Sequence, residues 1–155
     1  MATGEYPGPT QPMIGAQLRL ASEATHRELI ARLRAAGYED LRPVHFSLFV
    51  FPGLHGLRPT ELAERVGMSK QQLNALLNEL DELGYVTRQV GPGDGRHRVL
   101  ALTKRGLAFA ADMKRILQTI EQEIAEHVGQ RKFARATATI TAIAGLFPPP
   151  EDSTT

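Results

Sequence analysis

A chain of 155 residues with a formal net charge of +1 holds one domain, or one domain with a helical extension. Its 42% apolar content suffices for a core, and a set of six Phe, three Tyr and no Trp favours a helical core packed with Leu, Ala and Ile. With no Cys there is no disulfide and no thiolate metal site, and no apolar run approaches the roughly 18 residues that cross a membrane.

Residues 1–12 carry three prolines and two glycines and read as a disordered arm. No basic stretch followed by an apolar one marks a signal peptide there, so a cytoplasmic location is expected. From Met13 to Ala36, Ile14, Leu18, Ala21, Thr25, Leu29 and Leu33 step by three or four, which predicts a long amphipathic helix closed by Gly37. Pro43 to Phe51 is short and strongly apolar. Its Phe and Val content permits a strand, but its place in the chain favours a buried helix. Residues 52–56 form a turn.

Pro59 can open a helix, because its φ is already fixed near the helical value. Leu62, Ala63 and Val66 continue it at helical spacing, and Gly67 ends it. Arg58 stands where a Ser or Thr cap is expected. Ser69 with Gln72 forms a capping box, so a second helix starts at Ser69 and runs to about Gly84. The short turn favours a steep crossing of the two helices. In the second helix Leu73, Leu76, Leu77, Leu80 and Leu83 share one stripe, which must be core. The opposite face carries Gln71, Ala75, Asn78 and Glu82, with Asn74 about 60° off its centre. Gln and Asn match the donor–acceptor pair of adenine in the major groove, and Ala can touch a thymine methyl. Lys70 in the first turn can reach a phosphate, whereas Glu79, Asp81 and Glu82 would repel one. The N-terminal half therefore suits a groove of duplex DNA, with Ser69, Lys70, Gln71, Asn74, Ala75 and Asn78 as the candidate contact set.

Residues 85–90 and 97–102 read as the strands of a hairpin, joined by the glycine-rich loop 91–96. Five basic residues, Arg88, Arg96, Arg98, Lys104 and Arg105, face a single acid, Asp94, in this stretch. Positive charge is thus concentrated where a DNA backbone would pass. Thr103 can cap a following helix, in which Leu107, Ala110, Met113, Leu117, Ile120, Ile124 and Val128 form a stripe of about 22 residues, roughly 33 Å long. Phe133, Thr137, Ile140, Ala144 and Phe147 mark a last helix that Pro148 stops, and residues 148–155 form a flexible tail.

The order and spacing of Thr-Glu-Leu-Ala at 60–63, the run from Asn74 through Gly84-Tyr85-Val86 to Arg88, the pair Asp94 and Arg96, and Leu102-Thr103-x-x-Gly106 resemble the MarR-type winged-helix transcription regulators. The resemblance implies a mainly α fold with a small β-hairpin, a winged helix-turn-helix carried on long terminal dimerisation helices. It assigns Arg96 to the minor groove with Asp94 as its companion, and leaves Arg98 and Lys104 for phosphates. Gly95 stands where many members carry a second Arg, which implies lower wing affinity. Some members sense peroxide through a reactive Cys; this chain has none. Many bind small aromatic or phenolic anions between the dimer helices and the winged domain. The corresponding walls here would be His26, Leu29, Leu33, His45, Phe46 and Phe49.

The expected organisation is an arm at 1–12, a dimerisation region at 13–37 and 106–147, a winged helix-turn-helix at 38–105, and a tail at 148–155. The terminal helices have apolar faces that so small a winged body cannot cover. A two-fold homodimer explains them, with Ile14, Leu18, Ile140 and Phe147 in its interface. The expected partners are then a pseudo-palindromic operator in double-stranded DNA, a second copy and a small-molecule effector, with no membrane and no cofactor. The five histidines show no metal motif and no i, i+4 pair, and no nucleophile elbow or phosphate loop is present, so no enzyme is expected. The rival readings are a winged-helix protein–protein module, which predicts an apolar recognition face, and a metal-responsive regulator.

Overall fold

A computed structural model of the chain describes residues 11–50, 57–90 and 98–146. The expectations for the arm at 1–10, the turn at 52–56, the hairpin tip with Asp94 and Arg96, Phe147 and the tail lie outside the described residues, as does the side chain of Arg98. The elements run α1 (Ile14–Ala35), α2 (Pro43–Val50), α3 (Pro59–Val66), α4 (Lys70–Glu82), β1 (Val86–Val90), β2 (Arg98–Leu102), α5 (Lys104–Val128) and α6 (Gln130–Leu146). They fall into two compact units, Met1–Ile116 and Leu117–Thr155.

In the first unit the local signals act as chemistry requires. Segment 43–50 is helical although its residues permit a strand. Pro43 opens it, and the imidazole Nδ1 of His45 accepts the amide of Arg42 at 3.1 Å, which satisfies a donor at the helix start. Leu41, Phe46 and Leu48 are buried, and a helix apolar nearly all round belongs inside. At the start of α3, Arg58 offers no acceptor, so only half a capping box forms: the Glu61 carboxylate accepts the Arg58 amide at 3.0 Å.

The core of this unit gathers around Phe109 on α5. Tyr38, Phe49 and Tyr85 meet its ring edge-on, with centroids 4.9, 4.7 and 5.6 Å away, and Phe46 stacks at 5.9 Å. Offset and edge-to-face pairs of this kind add about 0.5–1.5 kcal/mol each to their burial. Two tyrosine hydroxyls then tie the segment after α1 to its surroundings. Tyr38 donates to Asp112 at 2.7 Å and Tyr85 donates to Asp40 at 2.9 Å. Burial and the Asp112 carboxylate push the Tyr38 hydroxyl up to about 12, and burial with Asp40 likewise raises that of Tyr85. Asp112 is held below its usual range by the hydrogen bond from Tyr38 and by Arg115.

The second unit comprises the end of α5 and all of α6. Ile120 and Ala125 on α5 are buried. No residue of α6 is buried, and Ile140 and Leu146 are exposed. Thr137, Thr139 and Thr141 each donate their hydroxyl to the carbonyl four residues back. Those bonds satisfy the three hydroxyl donors on the helix's own backbone.

Candidate nucleic-acid interface

The candidate site is α3, the turn at 67–69, α4 and the hairpin. Gly67 ends α3 at φ +66°, a left-handed conformation that glycine adopts without strain. Three residues later α4 begins. Ser69 is its cap: the hydroxyl accepts the Gln72 amide at 3.2 Å and the Gln72 side chain accepts the Ser69 amide at 3.2 Å. The helix is therefore set in register from its first turn. Leu73, Leu76, Leu77 and Leu80 are buried, at 1%, 8%, 1% and 0% exposure. With that stripe inward, Ser69, Lys70, Gln71, Asn74, Ala75 and Asn78 are all exposed on the other side. The expected contact set thus forms one polar face at the N-terminal half of α4.

The hairpin follows without slack. Gly84 takes φ +76° after α4, and the Tyr85 amide returns to the Leu80 carbonyl at 2.8 Å. β1 and β2 pair antiparallel, with Val86 opposite Leu102, Arg88 opposite Leu100 and Val90 opposite Arg98. The Leu100 amide also bonds the Leu57 carbonyl at 2.9 Å, which ties the strand that leaves the wing to the segment entering α3. Thr103 closes the hairpin. Its hydroxyl donates to the Gly84 carbonyl at 2.6 Å and accepts the Gly106 amide at 3.1 Å, capping α5. Gly106 packs so closely that a Cβ there would run into the Tyr85 carbonyl oxygen. The Leu-Thr-x-x-Gly run is thus the joint between wing and α5. Lys104, within that run, is exposed.

Two of the five basic residues have partners within the protein. Arg105 lies over the Tyr85 ring, 4.3 Å from its centroid, pairs with Asp40 at 2.8 Å and donates to the Leu83 carbonyl at 2.7 Å. It braces the body, and the positive charge read from the sequence is smaller at this surface by one. Arg88 donates to the side-chain oxygens of Asn78 at 2.8 Å and Asn74 at 3.5 Å. Strand alternation alone places Arg88 on the same side as the buried Val86, which is the sequence signal that could have found it.

The six expected ligand-pocket residues differ in burial within the single chain. His45 and Phe46 are 1% and 0% exposed, and Leu29 and Leu33 are buried too. His26 and Phe49 are half-buried. His45 links two helices. Its Nδ1 faces a backbone N–H, so the ring carries its proton on Nε2 and donates to Glu79 on α4 at 2.9 Å. Arg42 binds the same carboxylate. The Arg42 hydrogen bond, and then that of His45, hold the Glu79 carboxyl below its ordinary range against partial desolvation. An open cleft does lie beside this latch. It measures about 450 Å³ and is lined by Arg42, Val44, Met68, Gln72, Ala75, Leu76 and Glu79, on the flank of α4. Among the described residues no group of three or more His, Asp or Glu side chains is placed to hold a metal, and no helix is long and apolar enough to cross a membrane.

A capped helix-turn-helix with a polar outer face, followed at once by a two-stranded wing, defines a winged helix-turn-helix protein. Residues 39–97 match the model of the MarR family. The chain is 29% identical over 83 residues to the HTH-type transcriptional repressor Rv2887 of Mycobacterium tuberculosis (strain ATCC 25618 / H37Rv). That match covers 52% of this chain and 60% of the relative's length. The fold is similar to that of the transcriptional repressor CouR bound to a 23-mer DNA duplex, with TM-score 0.69 and 25% identity over 85% of this chain and 92% of that one. It is also similar to the Mycobacterium tuberculosis MarR family protein Rv2887 in complex with salicylic acid, with TM-score 0.62 and 24% identity over 84% of this chain and 98% of that one.

Proposed function

We propose that this chain is a homodimeric, sequence-specific DNA-binding repressor, released by a small aromatic anion. The observation that carries the proposal is the exposed face of α4, where Lys70, Gln71, Asn74, Ala75 and Asn78 stand opposite a buried leucine stripe. Such a face offers hydrogen-bonding groups and a methyl to base edges while its helix stays rigid. The CouR structure with its duplex supports the same use of the fold. In this reading Arg96 enters a minor groove narrowed at A·T-rich sequence, with Asp94 beside it, and Lys104 and Arg98 reach phosphates.

A second copy follows from the terminal helices. Ile14, Leu20, Ile140 and Leu146 are exposed, Leu18 is half-buried, and α6 buries nothing by itself. Helices of this kind draw most of their stability from packing an apolar face. Two copies would also place two recognition helices on a two-fold operator.

The effector arm rests on the open cleft beside α4. An aromatic carboxylate there would lay its ring on Val44, Met68 and Leu76 and compete with Glu79 for Arg42. Taking Arg42 from Glu79 would loosen α2 from the recognition helix, which gives the ligand different affinities for the free and DNA-bound states. The relative crystallised with salicylic acid supports an anion of this class.

The test is binding to duplexes from the DNA upstream of the protein's own coding sequence, against random duplexes. Replacing Gln71, Asn74 or Asn78 by Ala should lower preference for the cognate duplex by about 1–3 kcal/mol per specific base contact and leave random binding little changed. Arg96→Ala should weaken both and flatten the slope of log K against log salt by about 0.9 per lost phosphate-region contact, doubled in a dimer. Salicylate should release the cognate duplex from the native protein and not from Arg42→Ala. Equal affinity of the native protein for cognate and random DNA would overturn the proposal.

A further inference from the structure

The geometry points to Arg88 as a positioning residue for base readout: from the first strand of the wing it holds the side-chain carbonyls of Asn78 and Asn74, so that both amides offer N–H donors to DNA. The inference rests on the reading of α4 as a recognition helix.

Arg88 sits at the middle of β1, opposite the buried Leu100, and is itself half-buried. Its guanidinium reaches across to α4, where Asn74 and Asn78 lie one turn apart on the exposed face. A guanidinium has donors only, so the atom that faces it on each Asn must be the oxygen. That fixes the amide orientation, which for a solvated Asn is otherwise free to flip. The 2.8 Å bond to Asn78 is charge-assisted and is the stronger of the two; the 3.5 Å bond to Asn74 is secondary.

The restraint has a chemical consequence. A free Asn can present either end of its amide and suits adenine, which displays one donor and one acceptor. With its oxygen occupied by Arg88, Asn78 presents chiefly its N–H2 group. Guanine N7 and O6, adenine N7 and thymine O4 are acceptors that such a group can meet. Cytosine displays only its N4 donors in the major groove and has nothing to offer it. Arg88 therefore narrows what Asn78 can read without touching a base.

The experiment measures relative affinity for a panel of duplexes carrying each of the four bases at every position of the half-site. The position read by Asn78 is the one whose preference disappears in Asn78→Ala. There the native protein should disfavour cytosine by about tenfold or more, the size of one lost specific contact. Arg88→Met keeps the stem and removes the donors. It should bring cytosine to within about threefold of the other bases at that position and leave the salt slope unchanged. In Asn78→Ala the same change should do nothing more to the base profile, because the two residues act through one amide. Arg88→Lys retains one donor and should restore part of the discrimination; it also serves if the Met variant fails to fold, which its melting temperature reports.

A loss of affinity equal for all four bases, with a flatter salt slope, would make Arg88 a phosphate contact and overturn the inference. Additive effects of Arg88→Met and Asn78→Ala on the profile would overturn it as well. A native protein with no base preference at any position removes the recognition-helix reading and this inference with it. A native protein with clear preferences that Arg88→Met and Arg88→Lys leave untouched removes this inference alone.

Discussion

α4 and α6, of 13 and 17 residues, both carry apolar residues at helical spacing, yet the chain buries them differently. Along α4 four leucines are buried, the cap is satisfied on both sides, and the chain leaves through a tight glycine turn into the wing. Along α6 nothing is buried, and its apolar residues stand exposed or half-exposed among threonines bonded to their own backbone. The chain itself covers the leucine stripe of α4, whereas it leaves the apolar residues of α6 uncovered. A helix can be legible in sequence for either reason, because periodicity reports an apolar face and does not say which molecule covers it.

The largest expected effect lies at the centre of the first unit. Phe109→Ala removes a fully buried ring that touches four other aromatic residues. It should cost about 3–5 kcal/mol, enough to leave much of the protein unfolded at growth temperature. Chemical denaturation measures this, and a loss under about 1 kcal/mol would mean that the first unit does not depend on this centre.

The same comparison predicts the opposite behaviour for α6. Ile140→Asp places a charge on an exposed position and should barely alter a monomer. On the proposed two-fold interface it buries that charge, so light scattering should fall from twice the 17.0 kDa of the chain to a single copy at micromolar concentration. Retained dimer mass in this variant would put the interface elsewhere. Between these extremes stands Ser69→Ala, which deletes the acceptor for the Gln72 amide and should cost about 1 kcal/mol. Its melting temperature should fall with no change in mass.

What the sequence discloses follows the range of the interactions. The ends of α3 and α4, the cap at Ser69, the leucine stripe and the exposed set around Asn74 and Asn78 depend on neighbours within one or two turns, and all are readable. Segment 43–50 is ambiguous, because an apolar run of that length fits strand or buried helix equally. The partnerships of Arg105 with Tyr85 and Asp40, of Tyr38 with Asp112 and of His45 with Glu79 join residues far apart in the chain, and no local pattern announces them. For that reason Arg105 reads from sequence as a wing cation and His45 as a pocket wall. The family resemblance supplies the wing roles of Asp94 and Arg96, which no contact among the described residues addresses.

The smallest expected effect tests the latch that joins α2 to α4. Glu79 accepts from Arg42 and from His45 Nε2, and its carboxyl is held below the ordinary 4.5 chiefly by the Arg42 hydrogen bond. A carboxyl whose folded value is depressed adds stability above its unfolded value and loses it as pH falls through the folded one. The latch should therefore contribute fully at neutral pH and fade below about pH 4.5. Because the Glu79 side chain is 41% exposed, water and salt screen the pair, and the shift in melting temperature should be smaller than that for Ser69→Ala. Glu79→Gln keeps an acceptor for both donors and removes only the charge. Melting curves of the native protein and this variant, taken from about pH 7 to about pH 3, should lie apart at the neutral end and converge at the acid end. High salt should narrow the neutral gap. A gap that persists unchanged to low pH would show that the charge on Glu79 does not bind α2 to α4. The half-buried environment of the latch would then act through packing alone, and an anion that competes for Arg42 would have no hold on α4.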